Sequence, residues 1–148
     1  MQPNLSFVED LPFNKFLKIE IGPATATSVE ISLPLRPELL NHVGTLHAAA
    51  QFGLGEAAAG ALVGLIFSDL ITEVVPLNAK STIEYRRPGY GKLTARGTFT
   101  PEERQRIVAE YQEKGKARFT TVAELTDEHG VAATTVTVEW VVLKKPSN

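Results

Sequence analysis

A chain of 148 residues, 43% hydrophobic and 22% charged, is long enough for one domain with its own core and too apolar to stay disordered. Its net charge of −2, with no basic run interleaved with aromatics, argues against a nucleic-acid-binding domain. It has no cysteine, which excludes disulfides, thiolate metal sites and a cysteine nucleophile.

Residues 1 to 13 show little periodicity and read as an N-terminal arm with room for a short helix. They carry neither the basic region nor the apolar core of a signal peptide. Phe16–Ile21 and Thr27–Leu33 alternate at period two, which predicts two half-buried strands joined by a turn at Gly22-Pro23. Pro34 and Pro37 end the second strand, because proline brings no N–H to a sheet ladder.

A helix is predicted from about Thr45 to Phe67. Between Ala48 and Gly64, 11 of 17 residues are Ala or Gly. Glycine costs roughly 1 kcal/mol against alanine inside a helix, so the four glycines here call for a tertiary reason. Small side chains allow close backbone approach, and the expectation is a helix sunk into a sheet that wraps it. The longest charge-free apolar stretch, Ala57 to Ser68, is too short to span a bilayer. A soluble cytoplasmic protein is the expectation.

Pro76–Arg86 and Lys92–Thr100 give two further strands around Pro88-Gly89-Tyr90-Gly91. Thr100-Pro101-Glu102-Glu103 is a helix start, with Thr as N-cap, Pro at the first position and Glu three beyond the cap. That helix is expected to run to Lys114 and stop at Gly115. Residues 117–126 and 131–143 then alternate around Asp127-Glu128-His129-Gly130, a closing β-hairpin. Hairpins without a βαβ rhythm predict one α+β domain over residues 1–148, with a mainly antiparallel sheet.

The chemistry concentrates between Asn41 and Glu56. A loop, Asn41-His42-Val43-Gly44-Thr45-Leu46-His47, feeds hydrogen-bonding groups onto the helix start. Glu56 lies about two turns inside and is the only charge between Glu38 and Asp69. A buried carboxylate is costly unless it is hydrogen-bonded, protonated or partly solvated, so it is either a functional acid or a member of the helix's one exposed stripe. Asn41 reads equally as a turn or cap residue, and His47 is either a catalytic acid/base or a side chain that holds the shape of the loop. His42 and His47 do not have the spacing of a metal pair, so neither metal nor cofactor is expected.

The loop and its helix resemble those of the hotdog fold, in which a long antiparallel sheet curls around one central helix. More narrowly they resemble acyl-CoA thioesterases of the phenylacetate-pathway type and a related uncharacterised thioesterase-like group, over roughly Phe16 to Leu143. The typical pattern is an Asn, then G-T-x-H-G-G, then an acid about nine residues past the His. Asn41, Gly44-Thr45-Leu46-His47 and Glu56 match it, and Ile83-Glu84-Tyr85-Arg86-Arg87-Pro88 fits the strand after the helix. The chain departs from it at Ala48-Ala49, where the pattern has two glycines.

The resemblance implies a thioester hydrolase with Glu56 as nucleophile or general base. It gives Asn41 the role of positioning water or substrate, and the Ala48 N–H that of polarising the thioester carbonyl beside His47. Gly44 and Thr45, in the same loop, are candidate substrate-binding residues. It also implies a homodimer or homotetramer acting on an acyl-CoA. Arg86, Arg87 and Lys80 are candidate contacts for coenzyme A phosphates, or else solubilising charges on a strand end. Asn78 and Ser81 lie on the strand after the helix and are candidates to reach the site. Phe52 and Leu54 suggest an uncharged acyl tail.

Two alternatives remain open at this level. A hotdog dehydratase or hydratase would use His42 and Glu56, which are 14 residues apart, although the proline-rich run of such enzymes is absent between them. A non-catalytic acyl-CoA or lipid-binding protein would tolerate the Ala48-Ala49 departure.

Overall fold

The computed structural model describes residues 2–147. Two short helices, α1 (Ser6–Glu9) and α2 (Pro12–Leu17), open the chain. They are followed by strands β1 (Glu20–Ala24) and β2 (Ser28–Leu33) and a single 3₁₀ turn at Pro37–Leu39. The central helix α3 (Ala48–Ile66) precedes β3 (Val74–Tyr85) and β4 (Leu93–Thr98). A surface helix α4 (Pro101–Lys114) and the hairpin β5 (Lys116–Thr126) and β6 (Ala132–Lys144) complete the chain. The six strands form one antiparallel sheet in the order β1-β2-β4-β5-β6-β3.

Helix α3 lies against this sheet, touching β2, β4, β5 and β6. This is the curled sheet around one helix expected of a hotdog fold. The helix is long and apolar enough to cross a membrane, yet 78% of that apolar stretch is buried inside the protein. Its glycines mark the close approaches. A Cβ on Gly55 would come within 2.3 Å of Val136 on β6, one on Gly53 within 2.7 Å of Leu17, and one on Gly64 within 1.8 Å of the Phe7 ring.

The capping box is present in full: the Thr100 hydroxyl accepts from the Glu103 N–H, and the Glu103 carboxylate accepts from the Thr100 N–H. Gly115 ends α4 in the left-handed conformation. The hairpin turn is held by Asp127, whose Oδ1 accepts from the His129 and Val131 N–H groups.

The expected strand Phe16–Ile21 is a correction. Phe16 and Leu17 belong to α2, which starts on Pro12 and ends at Lys18 in the left-handed region. The Arg36 guanidinium, far along the chain, donates to the carbonyls of Phe16 and Leu17, which lie at the open end of this helix. Alternation over so few residues does not distinguish a strand from a short amphipathic helix. Gly22-Pro23 likewise lies inside β1, where the pairing with β2 is irregular between Ile21 and Ala24, and the turn comes instead at Thr25 to Ser28.

Candidate active site

The loop before α3 is built by its own side chains. Asn41 Oδ1 accepts from the N–H groups of Val43 and Thr45 at 3.0 Å each, and its Nδ2 donates to Thr45 Oγ1 at 2.8 Å. One Nδ2 hydrogen is left over for water or a ligand. Gly44 sits at φ +81°, a backbone conformation that side chains disfavour, with open space around it. Thr45 is buried beneath the loop.

His47 is the N-cap of α3. Its Nδ1 accepts from the Ala49 N–H at 2.9 Å, which places the ring proton of the neutral imidazole on Nε2. His47 therefore caps the helix start, through a helix N–H rather than a loop carbonyl. The Ala48 N–H has no hydrogen-bond partner among the described residues, and Ala48 is exposed. It is an orphan donor at the positive end of a 19-residue helix, suited to a developing oxyanion.

Farther along α3, Ala48, Phe52, Glu56 and Gly60 recur every fourth residue and form the one stripe that stays partly open. Glu56 faces a cavity of about 440 Å³. Its walls come from the N-terminal helices (Phe7, Val8, Leu11, Asn14) and from the run into β3 (Ile71, Pro76, Leu77, Asn78). Its floor is Ala57, Gly60 and Trp140. The indole is held still, since its Nε1 donates to Thr121 Oγ1, which donates to the Ala59 carbonyl. Glu56 has no hydrogen-bond partner among the described residues, and burial raises its pKa above the ordinary carboxylate value. A carboxylate left unpaired at an apolar wall is a stronger base than one in water.

The candidates from the sequence divide into three groups. Glu56 and Asn78 meet at the cavity, where Asn78 Oδ1 accepts from the Ser81 hydroxyl. Asn41, Gly44, Thr45, His47 and Ala48 form the loop and helix start. Arg86 and Arg87 follow Tyr85, whose hydroxyl donates to the Ala48 carbonyl at 2.8 Å and ties the end of β3 to the helix start. Arg86 contacts Glu84 and Thr135, whereas the Arg87 side chain has no ion-pair partner among the described residues. Lys80 lies 4.0 Å from Glu139 on β6 and does not line the cavity. Leu54, expected near an acyl tail, is fully buried in the core, and Phe52 does not line the cavity.

Four contributors escaped the sequence reading. Gln51 donates to the Leu46 carbonyl and accepts from the fully buried Thr134, fixing the helix start to β6. It is the only uncharged polar side chain in α3, a signal available in the sequence. Tyr85, Trp140 and the N-terminal helices gave no such signal, since nothing local distinguishes them from ordinary strand and arm residues.

Residues 5–142 match a family described as a domain of unknown function, DUF4442. The chain belongs to that family. Among solved structures, a Pseudomonas aeruginosa protein of unknown function, described as a probable thioesterase, superposes with a TM-score of 0.82 at 22% identity, over 98% of this chain and 99% of that one. A Chlorobaculum tepidum protein of unknown function gives 0.87 at 20% identity, over 95% and 92%. The PaaI protein of the Escherichia coli phenylacetic acid degradation operon gives 0.69 at 15% identity, over 97% and 91%. The DUF4442 chain thus has the hotdog fold in common with these structures. No curated protein matches it by sequence.

Proposed function

We propose that this DUF4442 protein hydrolyses an acyl thioester, most simply an acyl-CoA, in the cytoplasm. The observation that carries the reading is Glu56, a lone carboxylate of raised pKa at the wall of an apolar cavity. As general base it removes a proton from water, whose oxygen attacks the thioester carbonyl carbon. As nucleophile it attacks that carbon itself and forms an anhydride that water then opens. In both routes the carbonyl oxygen becomes an oxyanion, which the Ala48 N–H stabilises. The C–S bond then breaks and the thiolate leaves, taking up a proton. Asn41, through its remaining Nδ2 hydrogen, positions the water or the substrate. Arg86 and Arg87, next to the helix start, meet coenzyme A phosphates.

The geometry of the helix favours a site shared by two chains. Ala48 and Glu56 are eight residues apart on one helix, about 12 Å along its axis. One carbonyl group would have to lie within about 3 Å of both donor and acid. A second copy, supplying its own helix start beside the first copy's Glu56, removes the difficulty. Strand β3 offers the joint, since it is an edge strand of 12 residues whose side chains are largely exposed on both faces.

The test is release of free thiol from a panel of acyl-CoAs by the wild-type protein, Glu56→Gln and Glu56→Ala. Turnover in the wild type with near-complete loss in both variants is expected. Full activity in Glu56→Gln would remove the acid from the mechanism.

A further inference from the structure

Asn14 on α2 does something the hydrolytic machinery does not require. It is only 6% exposed, and its Nδ2 donates to the Val8 carbonyl at 2.9 Å, joining α2 to α1. That bond orients the amide, because only the nitrogen can face a carbonyl, and so Oδ1 points elsewhere. Oδ1 accepts no hydrogen bond among the described residues. Yet among the described residues no side-chain polar atom sealed from solvent lacks a partner. Oδ1 is therefore open to accessible space, and the space that Asn14 lines is the Glu56 cavity.

The other polar groups on the cavity narrow the occupant. Glu56 is an acceptor when ionised, and Asn78 already uses its oxygen on Ser81. Among the described residues no Lys, Arg or His lines the cavity, so an acyl group ending in a carboxylate or phosphate would meet Glu56 and no counter-charge. A wholly apolar group would cover Asn14 Oδ1 and leave it unpaired, which is costly. What satisfies the wall is an uncharged group that brings a hydrogen-bond donor to Asn14 Oδ1 and can accept from Asn78 Nδ2, which has no acceptor among the described residues.

We propose that Asn14 is a specificity-determining residue whose Oδ1 accepts a hydrogen bond from a hydroxyl on the acyl group, making uncharged hydroxyacyl thioesters the preferred ligands. This rests on the thioester reading of the Glu56 site. The N-terminal helices then form a selecting wall of the acyl pocket, and α3 carries the chemistry.

The test uses matched pairs of CoA thioesters with and without one hydroxyl: 3-hydroxyoctanoyl and octanoyl, 8-hydroxyoctanoyl and octanoyl, 4-hydroxybenzoyl and benzoyl. Binding is measured on Glu56→Gln through the fluorescence of Trp140, the only tryptophan of the chain, which lines the cavity. At least one hydroxylated member is expected to bind about tenfold more tightly than its partner. In the double variant Glu56→Gln/Asn14→Leu that ratio should fall to about one. Equal binding within every pair overturns the proposal, as does a preference that survives Asn14→Leu. The paired ligands need no change at position 14, so a misfolded Leu variant leaves the comparison decided. Thiol release by the wild type separates the two readings. Hydroxyl preference without turnover sinks the hydrolase alone, and turnover indifferent to the hydroxyl sinks the role of Asn14 alone.

Discussion

Helix α3 has two unlike sides, and their difference explains how one element serves as both core and active site. The side facing the sheet is dry and tightly fitted: Leu54, Ala58 and Leu62 are fully buried, and Gly55 exists because Val136 leaves no room for a methyl group. The stripe through Ala48, Phe52, Glu56 and Gly60 faces no strand of the same chain closely enough to be sealed. There a carboxylate is tolerated, and a Cβ on Gly60 would rest at 3.5 Å from Trp140, an ordinary contact. Packing forbids change on one side, and chemistry uses the looseness of the other.

The largest test of this division falls on the open stripe. Glu56→Gln should lower thiol release by about 10²–10⁴ with the fold intact by circular dichroism, since it removes a positioned base and little volume. Ala48→Pro should cost about 10²–10³ in rate, because it deletes one N–H at the first helical position, where proline is tolerated. Mixing the two inactive variants after joint refolding should restore about a quarter of wild-type activity if two chains share each site. No recovery would place acid and donor in one chain.

Breaking the dry side should instead change stability. Gly55→Ala should cost about 1–3 kcal/mol in a denaturant titration, because its methyl group overlaps Val136. Thr134→Val, which leaves Gln51 Oε1 without its buried donor, should cost a similar 1–3 kcal/mol or so. Gly60→Ala, on the open stripe, should go the other way and stabilise by up to about 1 kcal/mol, as helix propensity improves without a clash. If both glycine changes destabilise alike, the two sides do not differ as described.

The smallest effect is one of pH. Burial raises the Glu56 pKa above 4.5, so between that value and the raised one the folded chain holds a proton that the unfolded chain has lost. Stability is therefore lost as pH climbs through this window and stays lost above it. Glu56→Gln should exceed the wild type in thermal stability at neutral pH, with the advantage fading below about pH 4. Hydrolysis by the wild type should rise with pH through the same window, as the carboxylate becomes available. An advantage of the variant that does not change with pH would mean that Glu56 does not titrate there.

What the sequence by itself determined is what depends on near neighbours in the chain. The capping box at Thr100, the left-handed stop at Gly115, the Asp127 turn and the alternation of β5 and β6 were all legible. Each is a contact or a period spanning a few residues. The Ala- and Gly-rich run announced a buried helix, and the isolation of Glu56 within it drew attention to the acid. The end of helix α2, where Phe16 and Leu17 were read as the start of a strand, is different, because Arg36 from beyond β2 holds it.

Only the tertiary structure decided what surrounds Glu56. Phe7 and Asn14 from the arm, Asn78 from β3 and Trp140 from β6 converge there from separate parts of the chain. No local pattern encodes that meeting, because it is set by how the sheet curls around α3 and by which stripe of the helix it leaves uncovered.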